Sequence, residues 1–417
     1  MQIWLVQPSE QLPLGGNNRK LRTQLLAEEF ANRGHQVVWW ASCFNHLRKS
    51  WYFKKDTSLK PKSNLTIHAL KGIGYQKNIS LRRWLDLRFI SRKLRNRMKK
   101  EAVPDVVITS FPPHDMAREA VAYANRCGAM SIVDVRDKWP DNFVDVSPRI
   151  LQSIVRFILG REFLLRNRAL QQAGIILSMT KPLLEWGLRV AGRCKNPNDQ
   201  VFFLGACREK AETSNPEIKK LLENHLKEKF VVTFIGTFSA YHNPIAMIQA
   251  ARLLRHIPQI VFVIAGDGYL NDNLRKSAAD LPNVFFTGWL ASPEISLILK
   301  SSHIGLCTSG KLSEKNFLPN KVFSYLSEGV PIGSVFDGEL KEIIRQEGIG
   351  FNFDLAKDLA TSINDLYLKP DRHAKMAAAA RYFFSKECDA KNIYKSYADL
   401  VEKCYAEKQQ SIRENQD

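Results

Sequence analysis

The chain has 417 residues, 45% of them hydrophobic, with no low-complexity tract; it is too long for one core, so two domains are expected and a disordered polymer is excluded. Seven scattered cysteines without a Cys-x-x-Cys exclude a zinc site and a disulfide framework, and read as reduced thiols of a cytosolic protein. The formal net charge of +19 favours a polyanionic partner: nucleic acid, an anionic membrane face or phosphorylated substrates.

Met1 to Pro8 reads as a first strand and lacks the basic start and long apolar run of a signal peptide. Ile3 to Val6, the loop at Gly15-Gly16, a helix from Leu21 to Arg33 and a strand from Gln36 to Trp40 make a β-loop-α-β unit. Asp105–Ser110, Met130–Val135 and Ile175–Met179 are further strands, each a continuous apolar run, as in a parallel sheet covered on both faces. The rhythm restarts after Cys207 with a charged helical stretch from Glu209 to Glu228 and a strand from Phe230 to Ile235. A turn at Gly236-Thr237-Phe238, a helix from Pro244 to Arg255 and a strand from Ile260 to Ala265 follow. Next come the turn Gly266-Asp267-Gly268 and the strands Val284–Thr287, ending at Gly288, Ile304–Cys307 and Ile332–Phe336. Strands separated by helices argue two doubly wound α/β halves, which bind ligands where the strands' carboxyl ends open. A last helix, about Ala390 to Glu407, lines Tyr394, Tyr397, Leu400, Val401 and Tyr405 along one face.

Two basic stretches stand out, and no uncharged apolar run is long enough to span a bilayer. From Lys71 to Lys100 the only acid is Asp86, while Trp84, Leu85 and Phe89 recur at helical spacing among arginines such as Arg92, Arg95 and Arg97. That is the pattern of a helix lying on an anionic membrane surface, or of a solvated basic helix packed on its own domain. From Ile150 to Leu170, Ile154, Phe157, Ile158 and Leu165 alternate with Arg156, Arg161, Arg166 and Arg168, and an interior-facing helix with a charged back fits equally. No zinc finger, RNA-recognition signature or aromatic ladder accompanies the charge, so nucleic acid is not an expected partner.

The densest motif is Leu318-Pro319-Asn320-Lys321-Val322-Phe323-Ser324-Tyr325, which continues to Glu328-Gly329-Val330-Pro331. It reads as a polar turn, a short helix entered at Pro319 and stopped at Gly329, then a buried strand. Lys321, Asn320 and Ser324 gather at a helix start, where backbone donors and the dipole suit a phosphate. The segment Pro-Asn-Lys-x-Phe-x-Tyr-x-x-x-Gly-x-Pro resembles the donor site of family 4 glycosyltransferases of the GT-B fold, especially bacterial O-antigen and capsule enzymes such as the N-acetylfucosamine transferases. Val133 to Pro140 is similar to the Arg-Asp-Leu-Trp-Pro segment of those enzymes, with Lys138 in place of the Leu.

The resemblance implies two facing Rossmann-like domains with a cleft between them, at 1–207 and 208–388, and a segment 389–417 crossing back to the first. It implies a metal-independent retaining hexosyltransferase with no cofactor beyond its nucleotide-sugar donor, a UDP-sugar, and a lipid-pyrophosphate-linked glycan as acceptor. It places such an enzyme in the cytoplasm, on the inner face of the plasma membrane. Donor contacts fall on Gly15, Gly16, Gly236, Thr237, Gly266, Gly288, Trp289, Asn316, Leu318, Asn320, Lys321 and Ser324. Arg136 and Asp137 take the catalytic positions, Asp137 orienting the sugar or acceptor hydroxyl, with a structural Arg136–Asp137 ion pair as the rival; His114, after Ser110-Phe111-Pro112-Pro113, is an acceptor contact. Asn316 and Ser324 stand where the family carries two acids, and Thr237 and His242 or Asn243 where it carries two cations. Lys321, or Lys311 and Lys315, would then hold the diphosphate, and Glu328 is a candidate to replace the lost acid. A donor-degenerate partner subunit and a GT-B sugar-nucleotide epimerase are the alternatives.

Overall fold

The structure is a computed structural model that describes residues 1–15, 20–208, 211–239, 241–309 and 318–414. It divides into two compact units, one of Met1–Leu14, Lys20–Phe203 and the chain from Tyr394, the other of Leu204–Ile393 with Gly15 from the loop after the first strand. Each is an α/β layer structure built on one sheet.

The first sheet has the order β5-β6-β2-β1-β7-β8-β9. Its strands are β1 (Gln2–Val6), β2 (Gln36–Ser42), β5 (Thr57–Lys62), β6 (Leu65–Leu70), β7 (Val106–Phe111), β8 (Met130–Val135) and β9 (Ile175–Ser178), with a small ribbon of β3 (Phe44–Asn45) and β4 (Ser50–Trp51) beside it. Only β5 runs antiparallel. It is mostly exposed and carries Lys60, Pro61 and Lys62, the charged and proline-bearing sequence that protects a sheet edge from further pairing. Helices α1 (Arg22–Asn32), α2 (Leu81–Met98), α3 (His114–Arg126), α4 (Asp141–Asp145), α5 (Gln152–Ile158), α6 (Gly160–Gln171) and α7 (Lys181–Ala191) cover it. Trp4, Val6 and Trp40 pack with Ile90 and Leu94 of α2 and Met116 of α3, so an alternate-residue face of the sheet meets an i, i+4 stripe of the helix.

The second sheet is wholly parallel, in the order β12-β11-β10-β13-β14-β15. Its strands are β10 (Phe230–Ile235), β11 (Ile260–Ala265), β12 (Val284–Gly288), β13 (Ile304–Cys307), β14 (Ile332–Ser334) and β15 (Gly350–Asn352). Val232, Phe234, Phe262 and Ile264 are wholly buried in its core with Met247, Ile248 and Ile363 from the covering helices. The order reverses between β10 and β13, which makes their carboxyl ends a topological switch point.

Some expected elements change. The helical stretch 209–228 contracts to Pro216–Leu221 and a wide turn at Leu222–Leu226, because Asn215 caps the helix only there. The motif helix begins at Lys321, not Pro319; Pro319 is buried ahead of the N-cap Asn320. The last helix extends to Glu414. All seven cysteines are free, and among the described residues no helix is long and apolar enough to cross a membrane.

Candidate functional site

Glycines close three neighbouring strands of the second sheet at their carboxyl ends: Gly236 after β10, Gly266 after β11 and Gly288 at the end of β12. The ladder runs on through them, Gly236 N donating to Ala265 O at 3.0 Å and Gly266 N to Gly288 O at 2.8 Å. Gly266 has φ +142°, and a Cβ there would stand 1.9 Å from the Gly236 carbonyl. No other residue permits so close an approach of two loops.

Beside this edge the motif helix, Lys321–Ser327, is pinned by Tyr325. Its hydroxyl donates to Leu306 O at 3.0 Å and accepts from Ile235 N at 3.1 Å, tying β13 to β10. Gly305 makes the room, since a Cβ on it would meet the Tyr325 ring at 2.4 Å. The same anchoring draws Lys321 inward. Its Nζ lies 3.6 Å from the centre of the Phe234 ring and next to Gly236, and has no hydrogen-bond partner among the described residues. Burial pushes this amine down to about 8. The His242 ring is held down to about 4, first by burial and then by the Lys321 charge. The buried Thr308 hydroxyl is also without a partner among the described residues. A buried cation and a buried hydroxyl, both without a partner among the described residues, with the cation next to the glycine that follows β10, make a site for an anion.

The other expected donor residues differ in exposure. Thr237 is exposed, Trp289 is 72% exposed directly after Gly288, Leu318 is buried, Asn320 is exposed at the N-cap with no capping bond, and Ser324 is half-buried. Gly15 is an exposed glycine at φ +93° in the loop after β1. Gly16, Asn316, Lys311 and Lys315 lie outside the described residues. Glu328 does not stand in for the missing acid, because it accepts from Ser296 Oγ at 2.5 Å on the neighbouring helix. A depression of about 590 Å³ lined by Phe230, His303, Tyr367 and His373 opens at the amino ends of β10 and β13, the opposite edge of the sheet.

In the first unit the residues following β8 part company. Arg136 turns inward: its Nε bonds Asp134 at 3.0 Å, Nη1 bonds Glu10 at 2.9 Å and Nη2 bonds Thr23 at 3.1 Å. Asp134 is wholly buried and grips Arg22 through both oxygens, at 2.7 and 2.8 Å. Arg136 is therefore a member of a buried ion network, and the expected catalytic role passes from it because all three of its nitrogens are taken. The rival ion pair with Asp137 does not form either. Asp137 instead faces solvent and accepts from Lys138 N at 2.8 Å and Asn142 Nδ2 at 2.5 Å. The surrounding protein still desolvates its carboxyl enough to raise it above the usual range.

His114 is corrected as well. It opens α3 and is fully buried, bonded through Nε2 to Glu162 of α6, so it is not available to an acceptor from a loop. Glu162 also accepts from Trp84 Nε1 at 2.8 Å and Arg88 Nη2 at 2.6 Å. Burial pushes the Glu162 carboxyl up, but the bonds from His114, Trp84 and Arg88 outweigh it and hold it at about 2. The ligand atoms of His114, Asp115 and Glu162 lie within 4.8 Å of one another, with the Arg88 cation already occupying the carboxylate. Sequence reasoning missed Arg22, Asp134 and Glu162; the one available signal was an acid, Asp134, inside an otherwise apolar strand.

Residues 217–383, which contain the glycine edge and Lys321, match the family model of glycosyl transferases group 1. That stretch lies within the second unit. Two curated relatives are similar over part of their length. A mouse (Mus musculus) chitobiosyldiphosphodolichol beta-mannosyltransferase is 32% identical over 125 residues, 29% of this chain and 26% of the relative. The UDP-glycosyltransferase TURAN of Arabidopsis thaliana is 29% identical over 115 residues, 27% of this chain and 24% of the relative. The matched region thus spans about a quarter of each relative's length. Solved structures resemble the chain over nearly its whole length. Anabaena HepE in complex with UDP-glucose has a TM-score of 0.64 at 16% identity, covering 97% of this chain and 100% of that one. WaaG, a glycosyltransferase involved in lipopolysaccharide biosynthesis, has a TM-score of 0.61 at 13% identity, covering 96% and 99%. The two Rossmann-like units, with their parallel sheets, have the GT-B fold.

Proposed function

We propose that the chain is a retaining glycosyltransferase that moves a sugar, an acetamido sugar in our reading, from a UDP donor onto a lipid-pyrophosphate-linked glycan. In this reading it builds surface polysaccharide (O-antigen or capsule) in the cytoplasm, at the inner face of the plasma membrane. The observation that carries the proposal is the Lys321 ammonium: buried, unpartnered among the described residues, and set beside the glycine edge of β10 to β12. HepE, of the same fold, binds UDP-glucose, and the mouse relative is named for a chitobiosyl-diphosphodolichol.

Transfer breaks the bond from the sugar's anomeric carbon to the diphosphate and forms one to the acceptor oxygen. The acceptor proton passes to the departing phosphate oxygen on the same face, without a metal in our reading. Charge grows on that oxygen as the bond lengthens, so a cation already desolvated and fixed there stabilises the transition state more than the ground state. Lys321 fills that role, Thr308 donates to the same anion, and Gly236 and Gly266 let main chain approach it. Trp289 flanks the base, Asn320 and Ser324 bond the ribose, and Asp137 orients the acceptor hydroxyl. The basic run on α2 faces the membrane.

Calorimetric titration of UDP and UDP-sugars into the wild type and Lys321→Met tests the reading. The wild type should bind, and the variant should bind roughly tenfold or more weakly, as loss of a charge-assisted bond of about 1.5–3 kcal/mol implies. Equal affinity would remove Lys321 from the site. Binding without transfer to any lipid-linked acceptor would favour the donor-degenerate subunit, a reading that Ser324 in place of an acid motivates.

A further inference from the structure

We infer that Val146–Leu164 of the first unit is a lipid-inserting element that seats the protein on anionic bilayers, an inference that rests on the membrane-facing reading above. The turn Arg149–Leu151 and helix α5 bury no residue at all, whereas α1, α2, α3, α6 and α7 each bury a face. Yet the segment is apolar. Phe157 is 88% exposed, Ile150 86% and Ile158 70%, and Val146, Leu151, Ile154 and Leu164 are exposed beside them in sequence. Packing within the unit does not account for these residues, and a helix of this length has little stability of its own in water. Clustered exposed apolar side chains of this kind mark a surface that is covered in use.

Charge selects what covers it. Arg149, Arg156 and Arg161 are exposed, and no acid occurs between Val146 and Arg161. A second copy of the chain would bring these arginines against one another, which is unfavourable. Anionic headgroups meet the arginines while the acyl region receives Phe157, Ile154 and Ile158. A second apolar row supports the same orientation: Leu81, Leu85 and Phe89, exposed at i, i+4 and i+8 on α2. The two rows are mechanically joined, because Trp84 and Arg88 of α2 hold Glu162, which begins α6 just past Ile158. Trp84, a candidate for the lipid-facing stripe on sequence alone, is spent on that joint.

The test is flotation of the full chain with vesicles of phosphatidylcholine alone and of phosphatidylcholine mixed equally with phosphatidylglycerol. The wild type should float with the anionic vesicles only. Ile154→Ser/Phe157→Ser/Ile158→Ser should lower the partition coefficient at least ~tenfold, and Arg149→Gln/Arg156→Gln should lower it by roughly fivefold per arginine. UDP titration and thermal melting of both variants should match the wild type, since these side chains are exposed, which separates this inference from the donor-site reading. Retained flotation of the serine variant, with loss in Leu81→Ser/Leu85→Ser/Phe89→Ser, would overturn the inference and leave the membrane reading on α2. Absence of wild-type flotation, with self-association that the serine variant abolishes, would make the segment a homotypic interface and overturn it too.

Discussion

At Lys321 a cation is held against the Phe234 ring and beside Gly236, out of water, with no carboxylate bonded to it among the described residues. Its pKa of about 8 follows from that burial. Placing a diphosphate beside the amine favours the charged form, so binding raises the pKa and takes up a proton. UDP-sugar affinity should therefore be flat below about pH 7 and fall as pH rises through about 8, where the free protein loses the charge the ligand needs. Calorimetry near pH 8 in buffers of different ionisation enthalpy checks this, and heats that do not change with the buffer would show that the ammonium is not in the site. For folding the sign runs the other way. The folded amine titrates below the unfolded value of 10.5, so its destabilising contribution is complete below pH 8 and fades as pH rises toward 10.5.

Arg22 of α1 and Asp134 of β8 join a helix to a strand across the interior of the first unit, and Phe202 and Phe203 carbonyls complete the arginine's bonds. Burial alone would raise the Asp134 carboxyl, but Arg22 and Arg136 outweigh it and keep it ionised. Arg22→Met should cost about 3–5 kcal/mol, because it leaves a buried carboxylate short of its partner. Urea unfolding measures it, and a loss below about 1 kcal/mol would mean the network relaxes without consequence. Contacts of this kind are why elements were more legible in the sequence than sites. Met130–Val135, Phe230–Ile235, Ile260–Ala265 and Ile304–Cys307 have the bounds their apolar runs indicate, because strands covered on both faces have no polar alternative. The hairpin β5–β6 escaped notice, its outer strand being polar and at an edge. Pro112-Pro113 masks the start of α3 at His114, and the Glu162 that occupies His114 is 48 residues away, so the sequence alone offers His114 as an acceptor contact. Lys321 was named from its motif, but its isolation depends on Tyr325 reaching Ile235, 90 residues off.

The molecule as a whole depends on its last helix, Ala390–Glu414. Tyr394, Tyr397, Val401 and Cys404 are buried in the first unit, Arg33 bonds Asp399 and Glu402, and Tyr405 donates to Asp105 at 2.7 Å. Full exposure of each large side chain costs about 1.5–3 kcal/mol, so their sum approaches the whole stability of a domain, about 5–15 kcal/mol. A chain ending at Ile393 should lose cooperative melting of the first unit while keeping the UDP-dependent melting shift of the second. A first unit that still melts cooperatively would show the helix to be an accessory. There is a consequence for biosynthesis. Apart from the loop at Gly15, the second unit is the single stretch Leu204–Ile393, whereas the first unit draws on chain from both sides of that stretch. Synthesis therefore makes most of the first unit before Leu204–Ile393 and supplies its last helix only after that stretch, so the half made first is the half that matures last.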